Sequence, residues 1–250
     1  MIDSKKINVI GLIPSRLNST RLFNKALLEL DGFPLVIHTY KRAQLSKYLD
    51  DIYICTDSKK IMKIAKDNKC KVILTGKNNT GTDRISEASL KLKKKYDLFI
   101  DIQGDEPLLN PNHIDRVIAW HQKNLEFDIV VPSLVSKGID TPNIVKIVKS
   151  KKRVIYFSRA RVPFAFKKIS NNYLKHLSII SFKPEALINF RKFKQGILEK
   201  QEGIELMRAI ENNMKVGTFK LEGDSFSVDT KEDFSKAQKR IIHDKTRKKY

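Results

Sequence analysis

The chain alternates short apolar runs with longer stretches that are apolar on one face only. Ile7–Ile13 is an unbroken, largely β-branched run and reads as a buried first strand. Pro14 has no N–H for a ladder and is expected to end it. Asp31-Gly32 makes a turn, and Pro34 opens an amphipathic helix, PLVIHTYKRAQL, on which His38 reads as a packed side chain. Asp51–Thr56 is a second strand; Asp57 or Ser58 caps a helix to about Asn68, and Lys71–Thr75 is a third strand. Strand, helix, strand, helix, strand predicts a parallel sheet with right-handed crossovers. Thr80–Asp83 then leads into a helix with Thr82 at its N-cap and Ile85, Ala88 and Leu92 inward. Tyr96–Gln103 is a strand and Pro111–Gln122 a helix.

Asp128–Leu134, Asn143–Val148, Leu174–Phe182 and Lys215–Leu221 read as further strands, and Tyr156–Pro163 as a strand turning irregular. Pro184 starts a helix, Glu202–Asn213 is an amphipathic helix, and Thr230 with Asp233 makes a carboxylate capping box for a last helix. The tail from His243 is expected to fray. With no internal repeat and no low-complexity linker, the pattern describes a single domain over residues 1–250.

Composition narrows the classes. At 41% apolar and 31% charged the chain is globular. No apolar run approaches the roughly 20 residues of a membrane span, and the N-terminus lacks the apolar centre of a signal peptide, so the cytoplasm is the expected compartment. Cys55 and Cys70 lie in or beside strand-like runs, away from any histidine spacing that suggests a metal, and read as buried free thiols. The net charge of +21 raises nucleic acid or an anionic membrane as partners. The lysines are spread along the chain, however, and the clusters at Lys93–Lys95, Lys149–Arg153 and Lys245–Lys249 carry no repeated aromatic pattern. The charge reads as a solvated basic surface that attracts acidic substrates, with no nucleic-acid partner and no stable membrane insertion.

Two loops carry candidate chemistry. The loop after the first strand holds Arg16, Arg21 and Lys25, with Ser19 and Thr20 between them. Loops leaving the carboxyl end of a parallel strand are where open α/β sheets bind ligands, and one this basic suits a nucleoside triphosphate. It matches neither the Walker A pattern nor the dinucleotide fingerprint. Farther on, Gly81 lets backbone approach a ligand, and Arg84 in a first helical turn opposes the macrodipole, a hint of function. The second loop, after the strand ending at Gln103, places Asp105 and Glu106 side by side, a set of hard oxygens suited to Mg²⁺. Asp101, inside that strand, is either partnered in the core or faces the site.

Seven segments in order, IPSRLNSTRLFNK (13–25), TGTDR (80–84), QGDEP (103–107), PNIVK (142–146), YFSRARVP (156–163), LKHL (174–177) and VDT (228–230), resemble the cytidylyltransferases that activate 3-deoxy-ulosonic acids. The closest resemblance is to the 3-deoxy-manno-octulosonate (Kdo) cytidylyltransferases, and it runs from Ile7 to about Ile241. It implies a Rossmann-like nucleotide-diphospho-sugar transferase fold, α/β, with a mostly parallel sheet flanked by helices. It also implies a homodimer, with a dimerisation and sugar-binding portion around 130–190. The implied reaction takes MgCTP and an ulosonate to CMP-sugar and pyrophosphate by attack of the anomeric hydroxyl on the α-phosphorus.

By the same resemblance Arg16, Lys25 and Asp105 are catalytic, and Asp105 and Asp229 hold Mg²⁺. Ser19, Thr20 and Arg21 line the phosphate loop. Thr82 and Arg84 belong to the cytidine segment, Gln103 lies at the base and ribose side, and Arg159, His176 and Glu205 contact the sugar. Three departures stand out. The family's Arg-Leu-Pro-Gly-Lys is here Arg21-Leu22-Phe23-Asn24-Lys25, with Asn24 tolerant of positive φ. A family tyrosine is Ile180, and a Glu-Gln pair is Glu205-Leu206. The last two imply an acceptor that is Kdo or a close analogue with fewer or altered hydroxyls. The alternatives are a transferase of this fold for another acidic sugar, and a non-catalytic basic nucleic-acid-binding protein that would leave Arg16, Lys25, Asp105 and Asp229 idle.

Overall fold

The structure is a computed structural model that describes residues 7–17, 19, 21–137, 141–164, 166 and 172–250. Strand β1 (Val9–Ser15) is buried along its whole length. A 3₁₀ turn (Lys25–Leu27) and a hairpin of β2 (Glu29–Leu30) and β3 (Phe33–Pro34) lead into α1 (Leu35–Ala43). Then β4 (Asp51–Thr56), α2 (Lys59–Asp67), β5 (Val72–Leu74), α3 (Gly81–Ser89), β6 (Leu98–Ile102) and α4 (Pro111–Gln122) alternate. A run of strands follows: β7 (Ile129–Val130), β8 (Ser133–Lys137), β9 (Lys146–Ser150), β10 (Arg153–Ser158), β11 (Asn172–His176) and β12 (Ile179–Phe182). The chain continues through α5 (Pro184–Lys192), α6 (Ile197–Glu202), α7 (Met207–Glu211), β13 (Val216–Gly217) and α8 (Lys231–Ile241).

Eleven of these strands form one sheet in the order β5-β4-β1-β6-β12-β7-β13-β10-β9-β11-β8. From β5 to β6 every pairing is parallel, as the alternating pattern requires. Beyond β6 the sheet is extended mainly by antiparallel strands, with β13 parallel to β7. The pleat of β1 sends Val9 and Ile13 into one apolar layer with α1 and α4, and Ile10 and Leu12 into another with α3 and α5. Each such side chain taken from water contributes roughly 1.5–3 kcal/mol, so the first strand is fixed from both faces. Its carboxyl end, and that of β6, therefore stand on a rigid base.

Several boundaries differ from the sequence expectation, each for an identifiable reason. Pro14 does not end β1: past Leu12 the strand has lost β6, and Pro14 pairs only with Cys55 of β4, a local edge that tolerates a missing donor. Thr80, not Thr82, caps α3, accepting the Asp83 N–H at 3.1 Å. Ser58 caps α2, and Thr230 with Asp233 closes the predicted box on α8. Asp128–Leu134 divides at Val131-Pro132 into β7 and β8, and Leu174–Phe182 into β11 and β12, the members of each pair joining different neighbours. Glu202–Asn213 is not one helix, because Gly203 at φ 62° terminates α6 in the left-handed region. Of Lys215–Leu221 only Val216–Gly217 is strand.

The tail from His243 does not fray. Asp244 pairs with the buried Arg42, Arg247 Nε donates to Asp31 at 2.6 Å, and the Tyr250 hydroxyl meets His38 Nδ1 at 2.9 Å. Cys55 and Cys70 are buried and free, as expected. No helix among the described residues is long and apolar enough to cross a membrane.

Candidate active site

The cationic loop is held down before it reaches its ligand. Leu22 is buried with Leu30, Leu35, Val228, Ala237 and Ile241, so the loop after β1 shares a small core with α8. Asn24 adopts φ 51°, ψ 29°, the left-handed turn its side chain tolerates, and the chain then enters the Lys25–Leu27 turn. The loop after β6 packs directly on β1: a Cβ on Gly104 would lie 3.1 Å from the Pro14 carbonyl. The Val228 N–H donates to the Asp105 carbonyl at 2.9 Å, which brings the segment before α8 alongside.

These three segments meet at Lys25. Its Nζ donates to Asp105 Oδ2 at 2.6 Å and to Asp229 Oδ1 at 2.9 Å, and Arg21 reaches Asp229 Oδ1 at 3.0 Å. Burial works against the charged amine, but Asp105 and then Asp229 more than offset it, so the Lys25 pKa is raised. Asp229 is aimed by the cap of α8, since Asp233 Oδ2 accepts its backbone N–H at 3.2 Å.

Around them lies a cavity of about 720 Å³. Arg16, Ser19, Arg21, Lys25, Asp105 and Asp229 line it; so do Gln103, Arg84, Arg159 and Glu205. Arg16 is exposed and makes no ion pair among the described residues. Acids stand behind the cations. Asp101 is fully buried, and burial, with Glu205 the next contribution, holds its carboxyl well above the usual range; the Gln103 amide donates to both its oxygens at 3.0 and 3.1 Å. Burial, then the Asp105 charge, pushes Glu106 up to about 8, and burial raises Glu205, which accepts the Thr82 N–H at 3.2 Å.

Other expected residues sit differently. Thr20 lies outside the described residues. Thr82 is fully buried and does not line the cavity. Arg84 touches the cavity, but its guanidinium is committed to Thr75 Oγ1 at 2.7 Å, Asp57 at 3.1 Å and the Gly76 carbonyl. Its unfavourable place in the first turn of α3 is thus answered by an ion pair in the fold. Arg159 is tied to the carbonyls of Pro142, Glu202 and Gly203. His176 does not line the cavity; burial lowers its pKa to about 4, and its Nε2 has no hydrogen-bond partner among the described residues. Ile180 and Leu206 are core residues packed with Phe157 and Met207, so their apolar character suits the wall behind the cavity and not its surface.

The sequence reading missed Gln195, Glu199 and Lys200, which line the cavity from α6 and the turn before it. Their only signal was two charges in QGILEK, beside a helix whose start was misplaced. Asp105 and Asp229 are the residues that could hold a divalent cation. Both already reach one small cation, the Lys25 ammonium, and two carboxylates with phosphate and water complete an Mg²⁺ shell. A second hollow of about 800 Å³, lined by Phe127, Val154, Ile155 and Met214 with Lys151 and Lys152, contains none of the expected site residues.

Known proteins share both the sequence and this arrangement. The chain is 35% identical over 240 residues to the 3-deoxy-manno-octulosonate cytidylyltransferase of Chloroherpeton thalassium, covering 93% of this chain and 97% of that one. It is 36% identical to the 8-amino-3,8-dideoxy-manno-octulosonate cytidylyltransferase of Shewanella pealeana, over 95% of this chain and all of that one. The structure of a CMP:2-keto-3-deoxy-manno-octonic acid synthetase complexed with CTP superposes with a TM-score of 0.89 at 25% identity, covering 94% and 99% of the two chains. A cytidylyltransferase from Leptospira borgpetersenii, at 18% identity and a TM-score of 0.67, shares the fold. A cytidylyltransferase family model matches residues 10–216, which takes in the cationic loop and the first aspartate of the site, and the chain belongs to the cytidylyltransferase family.

Proposed function

We propose that this protein transfers the cytidylyl group of CTP to the anomeric hydroxyl of a 3-deoxy-ulosonic acid, Kdo or its 8-amino analogue. The observation that carries the reading is the Lys25 amine held between Asp105 and Asp229, in a cavity that Arg16 and Arg21 of the same loop also line. The hydroxyl oxygen bonds to the α-phosphorus as its proton passes to water, and the bond from the α-phosphorus to the α,β-bridging oxygen breaks, that oxygen leaving with its electron pair on pyrophosphate. Such a reaction needs alignment and charge neutralisation more than a covalent partner.

Arg16, Arg21 and Lys25 supply the fixed cations for the triphosphate, with Ser19 and Thr20 in the same loop. Asp105 and Asp229 would hold Mg²⁺, which when bound neutralises phosphate charge and lowers the nucleophile's pKa. Gln103, Thr82 and Arg84 belong to the nucleotide side, Arg84 and Thr82 by shaping α3 behind it. Glu205 and Arg159 face the acceptor, and His176, buried outside the cavity lining, acts from within the fold. Glu205 is a carboxylate with a raised pKa on the cavity wall, and it suits a hydroxylated or an amino-bearing acceptor alike.

The enzyme works as a homodimer in the cytoplasm, with residues around 130–190 as the dimerisation and sugar-binding portion of a single domain. The exposed Phe164 and Phe166 in that portion, 82% and 89% accessible, support the interface. The deciding experiment incubates the protein with CTP, Mg²⁺ and a panel of Kdo, 8-amino-Kdo and other ulosonic acids, and follows pyrophosphate. Release with Kdo or its amino analogue is the expected result. No release with any acid, together with salt-sensitive RNA binding, would replace this reading by the nucleic-acid one. Sedimentation at micromolar concentration tests the dimer.

A further inference from the structure

Arg208, Asp83 and Glu199 form a buried ionic group that the chemistry above does not use. Arg208, on α7, is 2% exposed. Its Nε and Nη2 donate to the two carboxylate oxygens of Glu199 at 2.8 and 2.7 Å, and its Nη1 donates to Asp83 Oδ1 at 2.7 Å. The Phe190 ring covers the guanidinium, 4.5 Å from its centre. Burial disfavours the charge, but Glu199 and Asp83 outweigh that and raise the Arg208 pKa. One acid is gripped by a planar two-pronged fork while the remaining arm reaches a second acid, a geometry that needs a guanidinium.

The two acids are tied to different parts of the cavity wall. Asp83 is knotted to Thr80, whose hydroxyl donates to Asp83 Oδ2 at 2.9 Å and accepts the Asp83 N–H, and Thr80 and Gly81 line the cavity. Glu199 itself lines the cavity beside Lys200, and the Gln195 amide donates to it at 3.1 Å. The Arg208 N–H also donates to the Glu205 carbonyl at 3.0 Å, so the fork and its own backbone fasten the acceptor-side segment. Glu205 ties the same segment to the start of α3 as well, accepting the Thr82 N–H at 3.2 Å.

We propose that Arg208 is a positioning residue that sets the spacing of the two substrate subsites, holding the Thr80–Asp83 turn through Asp83 and the 195–205 segment through Glu199. This inference rests on the cytidylyltransferase reading of the cavity. In-line attack tolerates little misplacement, and a shift of about 1 Å between the walls costs on the order of a hundredfold in rate.

Arg208→Lys keeps a buried cation but cannot hold both acids. It is expected to raise the KM for CTP and for the acceptor roughly tenfold each and to lower kcat about tenfold. Asp83→Asn loosens one tie and raises the KM for CTP, with the acceptor KM within about twofold of wild type; Glu199→Gln does the reverse. A side chain that only held the fold together would reduce the active fraction, lowering apparent kcat and leaving both KM values at wild type. Unchanged KM values in an Arg208→Lys protein with wild-type circular dichroism would therefore overturn the proposal. Should that variant fail to fold, the other two decide: the split pattern of KM shifts upholds the proposal, and identical shifts in both overturn it. Calorimetric CTP binding without acceptor separates this inference from the function it rests on. A wild-type protein that binds CTP but turns over no ulosonate sinks the acceptor reading, whereas weaker CTP binding by Asp83→Asn still upholds the role of Arg208 and equal binding refutes it.

Discussion

Replacing Lys25 by methionine removes the one cation that two aspartates share, with little change in side-chain volume. At 2.6 and 2.9 Å each pair has a gross attraction of about 6 kcal/mol at an effective dielectric near 20. Desolvation of three ions offsets most of this, the side chains being 15% and 27% accessible. The variant then leaves Asp105 and Asp229 facing each other with only Arg21 nearby, so the expected loss of stability is about 2–3 kcal/mol. The loss in kcat should be larger in effect, on the order of 10²–10³-fold, the usual cost of deleting one preorganised charge from a site that stabilises phosphate.

The stability gap also has a pH signature. Because the folded pKa of Lys25 is raised, its contribution is fully present below the unfolded lysine value near 10.5 and disappears as pH rises through the folded value. The wild-type minus Lys25→Met difference in denaturant midpoint should be flat from pH 7 to 10 and shrink above that. The assays are pyrophosphate release under saturating CTP and acceptor, and urea melts at each pH. A variant whose kcat stays within threefold of wild type refutes the assignment. A stability gap that widens above pH 10.5 refutes the electrostatics.

Other consequences can be checked as directly. Asp229→Asn and Asp105→Ala should each lower pyrophosphate release at least about a hundredfold with circular dichroism unchanged, and Asp229→Asn should shift the Mg²⁺ titration to higher concentration. Gly217→Ala would place a Cβ 2.7–3.0 Å from the Phe127 ring, which is itself stacked on Trp120, so the melt should show a loss of about 1–3 kcal/mol. Burial lowers the pKa of both His121 and His176 to about 4. Each therefore contributes stability above the unfolded histidine value that is lost as pH falls towards the folded one, on the order of 3 kcal/mol per group between about pH 6.5 and 4. Thermal melts should decline over that window, and His121→Asn should flatten the decline; a melt independent of pH from 7 to 4.5 would contradict it.

Local signals were legible where one side chain decides one backbone group. Ser58, Pro111 and the Thr230–Asp233 box each appear where the sequence puts them, because a cap or a ring is satisfied within a single turn. The parallel half of the sheet was legible for the same reason that β1 and β6 are buried throughout and mostly apolar: both faces are covered. Two misses were local, the α3 cap at Thr80 in place of Thr82 and the helix break at Gly203; the others depend on partners distant in sequence. Whether Pro14 can stay in a strand is settled by where β6 stops, and whether the tail lies down is settled by Arg42, Asp31 and His38, some two hundred positions earlier. Arg84 stood out because its helix position is unfavourable, and the partner that answers its charge, Asp57, is on another loop. Loops 13–25 and 103–107 and the 228–230 segment were legible as chemistry, but their meeting rests on long-range contacts, the shared core of Leu22 and Val228 and the Val228 N–H on the Asp105 carbonyl.

The two-residue strand β13 has a consequence for how the chain is made. It lies between β7 and β10, so Val216 and Gly217 are the splice that joins the first-half sheet to the second. A nascent chain leaving the ribosome can assemble the segments on either side, but it cannot zip them together until β13, the last strand in sequence, has been synthesised. The second aspartate of the site follows that splice within a dozen residues, so closure of the sheet and onset of competence arrive together, after every other strand.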